Sequence, residues 1–321
     1  MRIKGLSRSV LALGASAIAI GAVPALSATA ANSAGGTGTV HQSAVNSAHP
    51  GTGSAGTSNN LSYHGGVPGV EIGGDKVYLV YWGSQWNNND TSGEAAIQQS
   101  FFNGVGGSSW NNSVTQYCQG VATGTQSCNG AGTAATNPAG VLGGFWYDNS
   151  TAAPKHPTQS QLGNEAIRAA VHFNNTTAAS NSTVQYVIAT AHGNNSRGFG
   201  SRYCAWHSST SSTSTGTIAY TNMPYITDAG ASCGANFNSL GPNAGITIVG
   251  GHEFAETETD IFPNGGWLDG NGAENGDKCA WVSSGQGASA NVSMNGATFP
   301  VQSLWSNAFN RNAGGCVLSY P

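Results

Sequence analysis

The sequence predicts a mixed α/β fold, because segments typical of buried strands alternate with segments typical of amphipathic helices. Long connections rich in Gly, Ser and Asn separate these segments, and six cysteines could pin such loops by disulfides. Only 7% of the 321 residues are Asp, Glu, Lys or Arg, against about 25% in an ordinary domain. We therefore expect a core of sheet and helices in two or three layers, with polar but largely uncharged loops.

The N-terminus has the pattern of a secretory signal peptide over residues 1–30. Three basic residues precede an apolar run over residues 10–23, and residues 28–30 (Ala-Thr-Ala) match a cleavage site. The run is too short to span a bilayer, so we expect a secreted, extracellular protein. Residues 31–60 lack apolar periodicity, which indicates a flexible leader or short propeptide without packed elements. Residues 61–321 are expected to form a single domain.

Three segments predict strands. Residues 76–83 and 182–193 are runs of β-branched and aromatic residues that stop at Gly, which is typical of buried strands. Residues 217–225 predict a weaker strand. Pro224 restricts that strand to a sheet edge or to a strand end, because proline cannot donate to the ladder.

Three further segments predict helices. Residues 91–105 begin with Thr91 as N-cap and carry Glu94 three positions later, which is the pattern of a capping box. Residues 158–175 place Leu, Ile, Ala and Val along one apolar face. The third helix is expected over residues 244–259, between Pro-Asn and Pro-x-Gly-Gly breakers.

The third helix carries an unusual concentration of charge, since seven of the fourteen acidic residues lie between Glu253 and Asp277. Helical spacing gathers His252, Glu253, Glu256 and Asp260 within one face, because offsets of one, four and eight residues are about 100°, 40° and 80° around the axis. Carboxylates on a short helix repel one another, and a cation would offset this repulsion. The pattern therefore predicts a metal site, with a solvated acidic face as the alternative.

The motif in this segment reads H-E-x-x-E. His252 and Glu256 are one turn apart and can bind the same ion. In the related H-E-x-x-H zinc peptidases, the Glu after the first His is the general base. A carboxylate is an acceptable zinc ligand, so Glu256 can replace the second His. We therefore predict Glu253 as the catalytic residue and His252 and Glu256 as metal ligands.

The third ligand is open among Glu274, Asp277 and Asp260, in that order of preference. The first two lie in a Gly-rich loop over residues 266–281. Asp260 could instead orient His252 without binding the metal. We expect Zn²⁺, because imidazole is a common zinc ligand. Ca²⁺ is the alternative metal, because the loop offers many oxygen ligands, and both ions could be present.

The six cysteines have no C-x-x-C spacing, which argues against a zinc knuckle or redox pair. Sequential pairing closes three local loops. The last bond would hold the Gly-rich loop over residues 266–281, called the acidic loop below, near the third helix. We therefore predict the disulfides Cys118–Cys128, Cys204–Cys233 and Cys279–Cys316. His192 and His207 lie on either side of Cys204 in a Gly/Ser-rich segment that we interpret as a loop. We expect each to pack beside the disulfide, and the alternative is an extra metal ligand or a transition-state donor.

The charge balance restricts the partners. Without the signal peptide, seven basic and fourteen acidic residues give a formal charge of −7. This acidity argues against nucleic acid or an anionic membrane. We expect a monomer that acts on a peptide or protein substrate. A cell-wall glycan is the alternative partner, because Trp and Tyr beside many Asn and Thr also suit carbohydrate binding.

Several segments resemble the EXORDIUM, or phosphate-induced, proteins. The resemblance is carried by LSYHGGVPGVEIGGDKVYLVYWGSQW, AHGNNSRGFGSRYCAWHSS and GITIVGGHEFAETETDIFPNGGW, at residues 61–86, 191–209 and 245–267. The plant members have apolar and small residues where this chain has His252 and Glu253. The chain is therefore similar to an exported bacterial branch, which keeps G-H-E-x-A-E-x-x-T-D followed by E-x-G-D-x-C.

That branch resembles a divergent zinc peptidase. The resemblance implies a zincin-like mixed β-sheet with the metal-site helix below it and long disulfide-pinned loops. It also implies that the strand over residues 217–225 is the edge that pairs with an extended peptide. Glu274 resembles the downstream Glu of the gluzincin peptidases. We therefore expect a secreted metal-dependent peptidase. The alternatives are a catalytically silent EXORDIUM-like wall or glycan-binding protein and a calcium-stabilised structural domain.

Overall fold

The structure is a computed structural model that describes residues 60–263 and 265–319, together with the backbone of residues 41–44. The predicted signal peptide and most of the predicted leader lie outside the described residues. In chain order the strands are β1 (His41–Ala44), β2 (Ser62–Tyr63), β3 (Lys76–Trp82), β4 (Cys118–Gln119), β5 (Thr133–Ala134), β6 (Leu142–Asp148), β7 (Val184–Thr190), β8 (Tyr203–Ser212), β9 (Gly216–Met223), β10 (Trp267–Leu268), β11 (Ala290–Met294), β12 (Ala297–Val301), β13 (Leu304–Ser306) and β14 (Gly315–Val317).

Three longer helices accompany these strands. They are α1 (Glu94–Val105), α2 (Gln159–His172) and α3 (Ala244–Thr259), and a single turn, α4 (Phe309–Asn312), follows near the C-terminus. Short 3₁₀ helices occupy Ser84–Trp86, Asn111–Gln116, Ala179–Asn181, Ile226–Cys233, Phe237–Ser239 and Asp277–Cys279. The bounds of α3 are those that the sequence predicts.

The central sheet has six strands within the described residues, in the order β1-β8-β9-β7-β3-β6. Strands β6, β3, β7 and β9 run parallel, whereas β8 runs antiparallel to both of its neighbours, β9 and β1. Every residue of β7 is buried, as expected for a strand with layers on both faces. The predicted mixed α/β class with disulfide-pinned loops is confirmed.

Helices cover both faces of this sheet. The adjacent residues Leu79 and Val80 of β3 belong to different cores, because neighbouring side chains of a strand point to opposite faces. On one face, α2 buries Leu162 beside Val80. On the other face, Phe102 of α1 packs against Phe254 of α3, with the ring centroids 5.7 Å apart. The result is a three-layer arrangement with α3 beneath β8 and β9.

The strands of the central sheet correct three predictions. The segment over residues 217–225 is not an edge, because β9 lies between β8 and β7. Pro224 is tolerated there because it follows the last strand residue, Met223. Outside β9 lies β8, in a segment that we interpreted as a loop. Beyond β8, the backbone of His41–Ala44 forms β1, although the sequence predicted no packed element between residues 31 and 60.

The start of α1 also differs from the prediction. The helix begins at Glu94, and the carboxylate of Asp90 accepts hydrogen bonds from the backbone N–H groups of Glu94 and Ala95 at 2.7 and 3.1 Å. Asp90 therefore caps the helix instead of Thr91. The carboxylate of Glu94 accepts hydrogen bonds from the backbone N–H groups of Ile226 and Thr227, at the start of the 3₁₀ helix Ile226–Cys233.

All three predicted disulfides are present: Cys118–Cys128, Cys204–Cys233 and Cys279–Cys316. The second joins β8 to the 3₁₀ helix Ile226–Cys233, and the third joins the acidic loop over residues 266–281 to β14. Among the described residues, no helix is long and apolar enough to cross a membrane.

A buried charge network ties α2 to the end of β6. Arg168 pairs with Asp148, and its Nη1 lies 3.2 Å from Oε2 of Glu165. Burial and the neighbouring Asp148 carboxyl raise the pKa of Glu165 from its usual 4.5 to about 8. The folded protein therefore holds this proton more tightly than the unfolded chain does. The contribution of Glu165 to stability is complete below about pH 4.5 and is lost as the pH rises towards about 8.

The substitution Glu165→Gln should weaken this pH dependence, because a neutral amide does not titrate. We expect the melting temperature of the variant to fall less between pH 5 and pH 8.5, and to exceed that of the wild type by a few degrees at the upper end. Asp269→Asn is the control, because burial of that carboxyl is outweighed by hydrogen bonds that lower its pKa. The plot of its melting temperature against pH should be displaced from that of the wild type but keep the same slope between pH 5 and pH 8.5. If the melting temperatures of Glu165→Gln and wild type depend on pH in the same way, the pH dependence does not come from Glu165.

Candidate metal centre

Helix α3 is buried along its whole length, from Ala244 to Thr259. Apolar residues and glycines let the helix pack on every side. A Cβ at Gly251, for example, would lie 3.1 Å from the Trp110 ring and 3.2 Å from the Phe101 ring. The acidic residues in its second half therefore do not form a solvated face. They are carried into the interior, where an ionised carboxylate needs a compensating charge.

The first group of converging side chains contains His252, Glu256 and Asp277. Nε2 of His252 lies 2.9 Å from Oε1 of Glu256 and 3.6 Å from Oδ1 of Asp277. In a tetrahedral zinc site with bonds of about 2.0–2.2 Å, neighbouring ligand atoms are roughly 3.3–3.6 Å apart. The 3.6 Å distance has this spacing, whereas the 2.9 Å distance is that of a hydrogen bond and would lengthen around an ion. All three ligand atoms lie within 4.8 Å of one another.

The second group contains His207, Glu256 and Glu274. Nε2 of His207 lies 2.9 Å from Oε2 of Glu274 and 3.6 Å from Oε2 of Glu256. His207 reaches the cluster from β8, directly above the helix. Sequence analysis preferred loop packing for this residue and gave an extra ligand as the alternative, and the structure places it on a strand and in the cluster. Its side chain is 1% exposed, and that of Glu274 is fully buried.

Glu256 belongs to both groups. Its Oε1 faces His252 and also accepts a hydrogen bond of 2.9 Å from the backbone N–H of Asp277. Its Oε2 faces His207. The two oxygens of a single carboxylate are therefore directed to different histidines, and Glu256 is the centre of the cluster.

The acidic loop is fastened to α3 by its backbone and by Asn275. The amide of Asn275 donates to Ala255 O and Thr259 Oγ1, at 3.0 and 3.2 Å. The next residue, Gly276, lies so close to the helix that a Cβ would be 2.9 Å from both Oε1 of Glu256 and the His252 ring. Any side chain at this position would therefore displace the candidate ligands.

Gln302 orients His252, and sequence analysis missed it. Its Oε1 lies 3.1 Å from Nδ1 of His252, and its Nε2 donates to Gly276 O at 2.8 Å. A proton on Nδ1 that is held by Gln302 leaves the lone pair on Nε2, which faces Glu256. We gave this orienting role to Asp260 as an alternative, but Oδ1 of Asp260 accepts from the backbone of Gly265 after the helix end. The structure does not bring Asp260 into either group.

Glu253 is 1% exposed, and neither of its carboxylate oxygens has a hydrogen-bond partner among the described residues. Burial raises its pKa to about 8, with His252 lowering the value and Glu256 raising it. Burial and Glu256 likewise raise the pKa of Asp277 to about 7. These carboxyl groups are close enough to share one electrostatic environment.

The pKa values of His207 and His252 reflect the same excess of negative charge. Burial by itself would lower the pKa of His207 and of His252, yet the surrounding carboxylates raise both to about 10. Glu274 has the largest effect on His207, and Glu256 on His252. A divalent cation would compensate the same charge and leave the imidazoles neutral.

Two other polar residues from the segments considered above, His192 and Asp269, lie outside this cluster. His192 is half exposed and pairs with Asp228 at the surface. Asp269 is part of the loop that suggested calcium, but its Oδ1 accepts from backbone N–H groups of the loop and its Oδ2 lies 2.9 Å from Lys278 Nζ. Its carboxylate is therefore already occupied by the protein.

Comparison with known proteins returns no matching family model, no matching curated protein and no matching solved structure. The functional interpretation therefore depends on the geometry of this site. The resemblance to the EXORDIUM proteins remains a prediction from the motifs of the sequence.

The substitution Gln302→Leu should weaken metal binding, because His252 then loses the partner that holds its Nδ1 proton. Loss of a residue that hydrogen-bonds to a metal ligand typically lowers the affinity for the metal about 10- to 100-fold. Isothermal titration of the metal-free protein with Zn²⁺ measures the change. Gln185→Leu is the matched control, because Gln185 is also buried against α3 but donates to Thr221, Thr257 and the backbone of Glu253 and does not contact His252. Equal affinity in Gln302→Leu and wild type would contradict the orienting role.

Proposed function

We propose that the protein is a secreted metal-dependent peptidase. The observation that carries the proposal is the convergence of the buried His252 and Glu256 with the partly buried Asp277, whose ligand atoms lie within 4.8 Å of one another, with the unpartnered carboxyl of Glu253 in the same electrostatic environment. A ligand set beside a free general base is the arrangement that hydrolytic metal sites require. The three disulfides suit the extracellular location that the sequence predicts.

Zn²⁺ is the metal that suits these residues. Each group contains one imidazole nitrogen and two carboxylates, a combination common for zinc, whereas calcium sites use six to eight oxygens. The loop carboxylate that most suggested calcium, Asp269, pairs with Lys278. When bound, zinc would polarise the scissile carbonyl and lower the pKa of a bound water.

Glu253 is the proposed general base. It would accept the proton of the attacking water and transfer it to the leaving amine. A carboxyl with a pKa raised by burial is suited to both transfers near neutral pH, because it can hold and release a proton there. His252 and Glu256 would hold the metal, and Gln302 would keep the His252 ring in position.

The sheet edge above the cluster supports a peptide as substrate. His207 lies on β8, the antiparallel strand outside β9, and the backbone of β1 already pairs with β8 opposite this residue. The edge therefore accepts an extended chain, and edges of this kind bind peptides by adding a strand. A segment of the predicted leader occupies the position that we propose for the substrate.

The substitution Glu253→Gln should retain folding and metal but lose most turnover. General-base action typically contributes about 10²- to 10⁴-fold, and the amide cannot accept the proton. Hydrolysis of casein or a peptide library by the purified protein, with zinc content determined in parallel, measures this effect. Glu258→Gln is the matched control, because Glu258 is buried in the same helix but contacts Asn111.

The outcomes of this experiment separate the functions. Full activity in Glu253→Gln would remove Glu253 from the mechanism. A zinc-loaded wild type that hydrolyses no peptide in a broad library would contradict the peptidase proposal and favour a glycan-binding or structural protein.

Breaking the pairing of β1 should raise activity on peptides. Proline has no N–H and disrupts strand pairing, so Gln42→Pro/Ser43→Pro should release β1 from β8 and expose the edge. We expect a several-fold increase in kcat/KM for peptide hydrolysis. Gln42→Ala/Ser43→Ala is the control, because it keeps both N–H groups. Equal activity of the proline and alanine variants would show that β1 does not block the substrate.

A further inference from the structure

We infer that the cluster binds two divalent cations, bridged by the carboxylate of Glu256. One position is formed by His252, Glu256 and Asp277, and the other by His207, Glu256 and Glu274. The inference rests on the metal-binding part of the proposed function, but not on peptide hydrolysis. It assigns His207 and Glu274 to a second position rather than to a single shared ion.

The two half-sites have the same composition and the same dimensions. Each has one imidazole Nε2, one terminal carboxylate oxygen and one oxygen of Glu256. Nε2 of His252 lies 2.9 Å from Glu256 and 3.6 Å from Asp277, whereas Nε2 of His207 lies 2.9 Å from Glu274 and 3.6 Å from Glu256, so the same two distances occur with the bridging carboxylate nearer to His252. Such a repeat around one carboxylate is the form of a bridged pair, in which the ions are typically about 3.5–4 Å apart.

A single ion does not account for both histidines. In the described part of the chain, ligand atoms of three or more residues approach within 4.8 Å of one another in two groups, and neither group contains both His207 and His252. The Glu256 oxygens that face the two imidazoles are also different atoms. One ion bound to Oε1 of Glu256 would therefore leave the His207 group without a cation.

Charge gives a second argument for two ions. Ionised Glu253, Glu256, Glu274 and Asp277 carry a charge of −4 when the imidazoles are neutral, and two divalent cations balance this charge. One cation would leave −2 to be balanced by protons, and these would occupy the atoms of His207 or of the carboxylates that form the second position. The nearby Lys278 pairs with Asp269 instead.

Buried carboxylate oxygens without a hydrogen-bond partner are a further argument for bound cations, and it does not depend on the charge count. Oε2 of Glu256 has no hydrogen-bond partner among the described residues, although Glu256 is fully buried. The same holds for both oxygens of the buried Glu253. Buried carboxylate oxygens in this state are costly unless a bound group contacts them. Oε2 of Glu256 is the oxygen that the second ion would bind.

The test is the number of ions that the full-length protein binds. Metal-free protein is titrated with Zn²⁺ by calorimetry, and bound metal is counted by elemental analysis after gel filtration. We expect two equivalents per chain. Mn²⁺ then replaces Zn²⁺ for electron paramagnetic resonance, and a carboxylate-bridged pair should give a spin-coupled spectrum that two distant ions do not give.

Variants assign the two positions. His207→Ala and the isosteric Glu274→Gln should each reduce binding to one equivalent and remove the spin coupling. His252→Ala should also leave one equivalent. His192→Ala is the matched control, because this histidine pairs with Asp228 at the surface, and it should retain two. Circular dichroism and the melting temperature identify variants that do not fold, and Glu274→Gln is the least disruptive of them.

Each outcome decides the inference. One equivalent in the wild type, or two equivalents in folded Glu274→Gln and His207→Ala, would overturn it. One equivalent with peptide hydrolysis would overturn the inference and leave the proposed function intact. Two equivalents without hydrolysis would support the inference and overturn the peptidase proposal.

Discussion

The transfer of several carboxylates from water into one interior cluster is the constraint on which the rest of the structure depends. Glu253, Glu256, Glu274 and Asp277 lie around His207 and His252, and their attraction for a protonated imidazole outweighs the effect of burial on the pKa of both histidines. In a chain with so few charged residues, this concentration cannot be screened by neighbouring Lys or Arg side chains. Cations, protons or both must accompany the acids, and the surrounding fold has to hold them at fixed positions.

The fold meets this constraint by close backbone approach rather than by large side chains. Helix α3 is buried on all sides, and the acidic loop lies against it at Gly276, where a Cβ has no space. Asn275 and Gln302 then connect the loop, the helix and the segment before β13 through buried hydrogen bonds. Because each of these groups contacts a candidate ligand or its immediate backbone, the ligands are positioned before any ion arrives. Preorganisation of this kind reduces the cost of binding.

Local patterns in the sequence predicted the elements with short-range causes. The bounds of α3, the mixed α/β class and all three disulfides follow from periodicity, breakers and loop closure, and the structure agrees. His207 and Gln302 could not be predicted in this way, because β8 is rich in Ser and Thr and no fixed spacing links either residue to the helix. The edge assignment of β9 was wrong because strand order is a tertiary property. Asp260 was a candidate only through its sequence neighbours, and the end of the helix directs it to Gly265.

Both non-helical segments of the cluster lie next to a disulfide. Cys204 is three residues from His207 on β8, and Cys279 is two residues after Asp277. Reduction of these bonds would leave the segments that carry His207 and Asp277 held by non-covalent contacts alone, whereas α3 would keep its own backbone hydrogen bonds. Assembly of the centre is therefore coupled to thiol oxidation, which the reducing cytosol opposes and the exterior of the cell permits. The redox state of the surroundings thus determines when the segments that carry His207 and Asp277 become covalently held.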